Sequence, residues 1–244
     1  MGGMPGDPGT PTRDELLAAY ALPDRGAPRL RMNFVSSADG AVVLQGRSGT
    51  LGGATDRLLM QVLRTLADVI LVGAGTVRVE GYGGTAVSES DAAWRVARGL
   101  PPQPGLAVVS RALDLEPGHP FFAEAVVRPV VVTCADSPAG RREELAEVAD
   151  VLVCGEETVD LTATRAAFAD CGWTQTLCEG GPHLFGALLD AGLVDEVCLT
   201  LAPRFVGGAA RRIVQGAAEA DRRFALAGAL SDDDGFVFLR YATR

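Results

Sequence analysis

Histidine is scarce in this sequence and its cysteines are unmatched. The chain holds only His119 and His183, and its five cysteines, Cys134, Cys154, Cys171, Cys178 and Cys198, form no C-x-x-C pair. A zinc centre built from Cys and His lacks ligands, so no metal is expected. Four of the cysteines sit inside apolar stretches, where a free thiol behaves as a small hydrophobe, the pattern of a reduced, cytoplasmic protein. No basic-then-apolar leader and no apolar run of about 18 residues is present, so neither a signal peptide nor a membrane span is expected. Positive charge is in deficit as well: 22 Lys plus Arg against 31 Asp plus Glu leave a net charge of −9. That sign disfavours nucleic acid and anionic membrane surfaces and favours a small-molecule partner.

What remains is a globular chain of 244 residues, 48% apolar and 22% charged. Its length allows one large α/β domain or two small ones. No internal repeat or composition break marks a second domain. Residues 1–12, with four glycines and three prolines, read as a flexible leader, which leaves 13–244 as a single domain.

Short apolar runs rich in β-formers alternate with amphipathic segments. Strands are expected at 30–35, 69–72, 106–109, 130–133, 151–153, 176–178 and 194–201, and helices at 56–66, 141–148, 162–170 and 183–191. Strands separated by helices of about ten residues imply crossover connections and a mainly parallel sheet covered on both faces. The last part, with a strand at 236–241 and no strong helix before it, is expected to close one edge with antiparallel pairing. Segment 81–104, rich in Gly, Ser, Pro and charge, reads as a surface excursion, a lid or a substrate loop, with a short helix at 91–97.

Two glycine-marked segments carry the functional signal. In the first, a buried strand empties into Gly73-Ala74-Gly75-Thr76, where bare backbone can approach a phosphate and Thr76 can offer its hydroxyl and amide. The G-x-G-x-x-G fingerprint is incomplete, since its third glycine position is Arg78, and a plain strand-to-helix turn explains Gly73 and Gly75 equally well. In the second, Glu179-Gly180-Gly181-Pro182 leads into His183-Leu184-Phe185. Pro182 suits the first turn of a helix, and the glycines before it leave the positive end of the dipole open to a pyrophosphate. A carboxylate beside a phosphate is repulsive, so Glu179 either faces a hydrogen-bond donor on the substrate or caps the helix. His183 reads as a turn residue whose amide matters more than its ring. Ser110 and Arg111, at another strand exit, suit the extra phosphate that distinguishes NADPH from NADH, or form an ordinary surface pair.

Taken together, these residues resemble the reductase domain of riboflavin biosynthesis, which shares the dihydrofolate reductase fold. The motifs that carry the resemblance are Asn33-Phe34-Val35-Ser36-Ser37-Ala38-Asp39-Gly40, Leu63-Arg64 with Asp68 and the Gly-Ala-Gly-Thr-Val run, Glu179-Gly-Gly-Pro, Val194-Asp195-Glu196-Val197, and Ala202-Pro203 followed by Gly207-Gly208. The resemblance implies a three-layer α/β sandwich with a mainly parallel sheet and antiparallel C-terminal strands. It implies NADPH held by Ser36, Thr50, Thr76, Glu80, Ser110 and the turn from Gly181 to Phe185, with Val153 near the adenine. It also implies a substrate pocket at Asn33, Asp39, Ser48, Arg64 and Glu179, although Asp39-Gly40 is also a common turn signal. Members of that family deliver hydride from the nicotinamide C4 to the C1′ of a phosphoribosylamino-pyrimidine and work as homodimers.

Two departures stand out. Many bacterial members carry Lys where this chain has Asn33, and Asn cannot serve as a protonated donor. The Asp-Pro-x-Leu-x-x-Arg that follows Gly-Thr-Val in the family is replaced by Glu80-Gly81-Tyr82-Gly83-Gly84, without the Arg expected near the substrate phosphate. The H-x-E and P-C-x-x-C motifs of the zinc deaminase that often accompanies this domain are not in the sequence. Reduction of a pterin such as dihydrofolate on the same fold, or NADPH binding without catalysis, remain rival readings.

Overall fold

The computed structural model describes residues 9–22, 24–84 and 86–243. In chain order the elements are α1 (Arg13–Ala19), β1 (Arg29–Ser37), α2 (Ala54–Leu66), β2 (Val69–Gly73), α3 (Ala74–Glu80), α4 (Glu89–Val96), β3 (Gly105–Val109), α5 (Pro120–Ala123), β4 (Val130–Thr133), α6 (Ala139–Ala146), β5 (Asp150–Val153), α7 (Leu161–Asp170), β6 (Gln175–Cys178), α8 (Pro182–Asp190), β7 (Glu196–Ala202), β8 (Ala225–Ser231) and β9 (Val237–Ala242).

The nine strands form one sheet in the order β5-β4-β3-β2-β6-β1-β7-β9-β8. Every ladder from β5 to β7 is parallel, and β9 pairs antiparallel with both β7 and β8. The expected antiparallel pairing is therefore present between β7 and β9, but the edge itself is β8, and β7 also runs parallel to β1. Strand β8 carries a weak alternation of small residues and was not foreseen. Its burial is only partial, so little hydrophobic signal marks it.

Val69, Ile70, Leu71 and Val72 are all buried because β2 is covered on both faces. Leu30 and Met32 of β1 and Val69 and Leu71 of β2 pack against Phe168 of α7 and Phe185 and Leu188 of α8. On the opposite face, Ile70, Val72, Leu106 and Val108 meet Val77 of α3, Phe121 of α5 and Leu145 of α6. Leu177, Cys198 and Phe238 meet Leu16 of α1 and Leu59 and Leu63 of α2 on that same side. Each fully buried aliphatic side chain contributes about 1.5–3 kcal/mol, so a continuous apolar strand anchors both layers at once. The result is the three-layer sandwich expected of a dihydrofolate reductase-like fold. Cys134, Cys154, Cys178 and Cys198 lie buried as free thiols, and Cys171 is exposed. No helix among the described residues is long and apolar enough to cross a membrane.

Of the expected leader, residues 1–8 lie outside the described residues, and Thr10 and Thr12 make bonds. Thr10 bonds Asp233 through its amide and its hydroxyl. Thr12 closes a capping box with Glu15 at the start of α1, satisfying two otherwise orphaned donors. Segment 81–104, expected to be a surface excursion, a lid or a substrate loop, reaches the Glu179 carboxylate through Tyr82. Its helix α4 is bound to the body of the protein, because the buried Arg95 donates to the carbonyls of Thr65 at 2.9 Å and Ala67 at 2.5 Å, and Asp91 pairs with Arg13. These carbonyls belong to the C-terminal end of α2, where a cation meets the negative pole of the helix.

Candidate active site

Strands β2, β6 and β1 are neighbours although they are far apart in the chain, and this creates the site. The chain passes from β1 to β2 and outward to β5, then returns to insert β6 between the first two. Ligands of open α/β sheets bind beyond the carboxyl ends of the strands at such a reversal.

The two glycine-marked segments meet there. Gly73 donates its amide to the Gly180 carbonyl at 3.0 Å, and Gly181 donates to the Thr76 hydroxyl oxygen at 3.0 Å. Gly180 has a φ of +121°, a conformation that side-chain-bearing residues avoid. Helix α8 begins at Pro182, which has no N–H, so the amides it leaves open in its first turn are those of His183 and Leu184. The His183 ring is exposed, in keeping with a turn role, and Phe185 is buried and stacked on Phe34 at 5.2 Å. Gly75 lies in the first turn of α3 with open space where a Cβ would be.

Immediately beside the glycines, Glu179 and Arg64 form a two-pronged ion pair. Arg64 Nε and Nη2 each lie 2.6 Å from a different carboxylate oxygen. The Tyr82 hydroxyl donates to Glu179 and accepts from Arg64 Nη2 at 3.3 Å. The Glu179 side chain is only 4% exposed. Its carboxylate therefore meets two donors of the chain itself, Arg64 and Tyr82. The attraction of Glu179 more than offsets the cost of burial and holds the Arg64 guanidinium above its ordinary range.

The other expected residues divide into two groups. Asn33 is half-buried on β1; it alternates with Met32 and Phe34 of the α7/α8 core, so it faces the α2 side, the side that carries Arg64. Glu80 accepts the Ser48 amide at 2.9 Å, which fastens the 44–50 turn to the end of α3. The Thr50 hydroxyl is spent inside that turn on the carbonyls of Leu44 and Arg47, at 2.9 and 3.0 Å. Asp39 works as a clasp between two loops, accepting from the Ser37 hydroxyl, the Val206 amide at 3.1 Å and the Gly207 amide at 2.7 Å. These bonds, the Ser37 hydroxyl foremost, hold its carboxyl down to about 2. Ser36 and Asp39 line a cavity of about 380 Å³ with Gly207, Gly208 and Arg212.

Toward the far edge, the Ser110 hydroxyl accepts the Leu113 amide at 3.0 Å and keeps its own proton to donate, while Arg111 is exposed beside it. Val153, 48% exposed, ends β5. From Val153 through Ser110, Gly73 and Gly180 to Ser36, the expected cofactor residues follow the carboxyl edge of the sheet over six strands. At the usual strand spacing this is a track of about 24 Å.

Three groups carried no assigned role in the sequence. Tyr82 lies in a glycine-rich loop, which hid it. Arg212 is one arginine among many, and only its place on the cavity distinguishes it. Asp56, in the first turn of α2, reads as a helix-start residue, yet burial pushes its carboxyl above the ordinary range, with the Thr200 hydroxyl opposing the shift.

The chain is similar to several known proteins. The 2,5-diamino-6-ribosylamino-4(3H)-pyrimidinone 5′-phosphate reductase of Methanothermobacter thermautotrophicus is 32% identical over 191 residues, 78% of this chain and 84% of that protein. The protein of the same name from Archaeoglobus fulgidus is 30% identical over 182 residues, 74% of this chain and 83% of its own length. Among solved structures, a pyrimidine reductase-like protein from Corynebacterium diphtheriae superposes with a TM-score of 0.83 at 28% identity, covering 94% of this chain and 98% of that one. The family model described as the RibD C-terminal domain matches residues 28–238, a span that holds both glycine turns, the Arg64–Glu179 pair and the Asp39 clasp; the chain belongs to that family.

Proposed function

We propose that this chain is an NADPH-dependent reductase that acts on a phosphoribosylamino-pyrimidine of the riboflavin pathway. The observation that carries the reading is the meeting of Gly73, Thr76, Gly180 and Gly181 at the sheet reversal, directly against Arg64 and Glu179. It sets an anion cradle beside a polar pocket. The names of the two archaeal relatives supply the substrate class.

The residues fit a nicotinamide dinucleotide. The backbone at Gly180 and Gly181 is bare, a Cβ on Gly181 would stand 3.0 Å from the Thr76 hydroxyl, and the open His183 and Leu184 amides at the start of α8 suit an anion. Ser110 and Arg111 suit the monoester phosphate of NADPH. When bound, NADPH supplies the hydride that reaches the sugar C1′. The protein's own work is positioning. Asn33 orients the substrate by hydrogen bonds, and no lysine exists anywhere in the chain to act as a proton donor. Arg212, which has no ion-pair partner among the described residues, is the cation that meets the substrate phosphate in the cavity of Ser36 and Asp39, where the Asp39 carboxylate is already committed to the Ser37 hydroxyl and the Val206 and Gly207 amides.

A second copy of the chain completes the assembly, over the groove of about 800 Å³ that Val197 and Leu199 of β7 and Tyr241 of β9 line with Phe224, rimmed by Glu219 and Arg222. Sedimentation of the purified chain measures this, and a monomer at all concentrations overturns it. The activity is tested by following NADPH oxidation with the ribosylamino-pyrimidine phosphate and with dihydrofolate. Turnover of the pyrimidine is expected. Turnover of dihydrofolate alone, or NADPH binding without oxidation by either, overturns the reading.

A further inference from the structure

The Arg64–Glu179 pair leaves one edge of the guanidinium unused. Nε and Nη2 are committed to Glu179, and Nη2 also reaches Tyr82, whereas Nη1 has no hydrogen-bond partner among the described residues. Nη1 is also not one of the unpartnered polar atoms sealed from solvent. The arginine side chain is 12% exposed against 4% for the glutamate, so the accessible part of this pair belongs to the arginine.

Tyr82 fixes how that edge is presented. Its hydroxyl bridges both partners, and its ring centroid lies 5.8 Å from the guanidinium carbon. The ring in turn rests on Phe121, at 6.3 Å, in the core beneath α5. Gly81, with a φ of +66°, ends α3 and turns the chain so that Tyr82 can reach the pair.

The charge of Glu179 cancels that of Arg64 at hydrogen-bond distance. The open Nη1 edge is therefore a rigid donor of two N–H groups with little net charge. Such an edge suits a neutral acceptor, because a phosphate gives up strong hydration and needs an uncompensated cation in return. We propose that Arg64, neutralised by Glu179 and oriented by Tyr82, reads a neutral carbonyl oxygen on the substrate's heterocycle and not its phosphate. Tyr82 is thus a positioning residue for specificity. The inference rests on the reductase reading above.

The experiment uses the full chain with NADPH and the ribosylamino-pyrimidine in its 5′-phosphorylated and dephosphorylated forms. Y82F removes the hydroxyl and keeps the ring. KM for both pyrimidines is expected to rise about tenfold, as for one lost orienting hydrogen bond, with the NADPH Kd unchanged. R64K keeps the charge and removes the open Nη1 edge, so KM is expected to rise for both pyrimidines alike, with the ratio of kcat/KM for the phosphorylated over the dephosphorylated form unchanged. A purely structural role for Tyr82 would lower the unfolding temperature without this selective change in KM. If Y82F leaves both KM values unchanged, or a folded R64K lowers the ratio by a loss confined to the phosphorylated form, the inference is overturned while wild-type turnover keeps the reductase reading intact. Should R64K fail to fold, the Y82F result decides alone. Absence of wild-type turnover on either pyrimidine overturns both.

Discussion

Thr76 and Gly181 are 105 positions apart in the chain, yet the Gly181 amide donates to the Thr76 hydroxyl oxygen at 3.0 Å. This bond closes the two glycine turns against each other at the ends of β2 and β6. A methyl group on Gly181 would press on the same oxygen at 3.0 Å. Gly181→Ala is therefore expected to part the turns and weaken NADPH binding roughly tenfold or more, about 1.4 kcal/mol, which fluorescence titration of NADPH would register. An unchanged Kd would remove this pair from the cofactor site.

Asp39 holds the 38–40 turn to the loop at 206–207 through two backbone amides. Its folded pKa of about 2 lies below the ordinary value of 3.8, so the clasp is fully present above the ordinary value and is lost as pH falls through about 2. No pH dependence from this group is expected at neutral pH. Asp39→Ala should instead speed hydrogen exchange at Val206 and Gly207 and raise substrate KM at every pH tested.

Arg212 lines the cavity shared with Ser36 and Asp39. Arg212→Ala is expected to raise KM for the phosphorylated pyrimidine by about tenfold or more, the loss of a charge-assisted contact, and to leave the dephosphorylated form nearly unaffected. Equal loss on both forms would move the phosphate elsewhere.

Arg95 is fully buried and donates to the carbonyls of Pro101, Thr65 and Ala67. Arg95→Ala strands these acceptors and leaves a cavity, at a cost of about 3 kcal/mol or more. For a chain of this size that corresponds to a fall of about 6–12 °C in Tm, with kcat retained, as read by circular dichroism and the NADPH assay.

Asp56 has a folded pKa raised by burial. A carboxyl of this kind costs stability once pH climbs past the ordinary carboxylate range, because the unfolded chain loses the proton first. Asp56→Asn is expected to raise Tm at neutral pH and to leave it unchanged below that range. The opposite trend in denaturation across pH would contradict the assignment.

How much of this was legible without coordinates varies with the kind of interaction. Val69 to Val72 and the Glu179-Gly180-Gly181-Pro182 turn were readable because burial and helix starts are written in neighbouring residues. Helix α1 and strand β8 were not, one masked by a proline- and glycine-rich start and the other by weak hydrophobicity. Within 81–104 the short helix was readable, but polar surface composition concealed Arg95, whose partners lie about 30 residues upstream in α2.

The sequence by itself determined a small-molecule α/β enzyme type, its strand and helix alternation, and the two glycine turns. Only the tertiary structure decided that Glu179 spends its carboxylate on Arg64 and Tyr82, that Asp39 clasps two loops, and that Arg212 stands on the cavity. Periodicity and turn chemistry record what each residue needs from its neighbours in the chain. The pairing of side chains 115 and 97 positions apart is set by the insertion of β6 between β1 and β2, which no local pattern encodes.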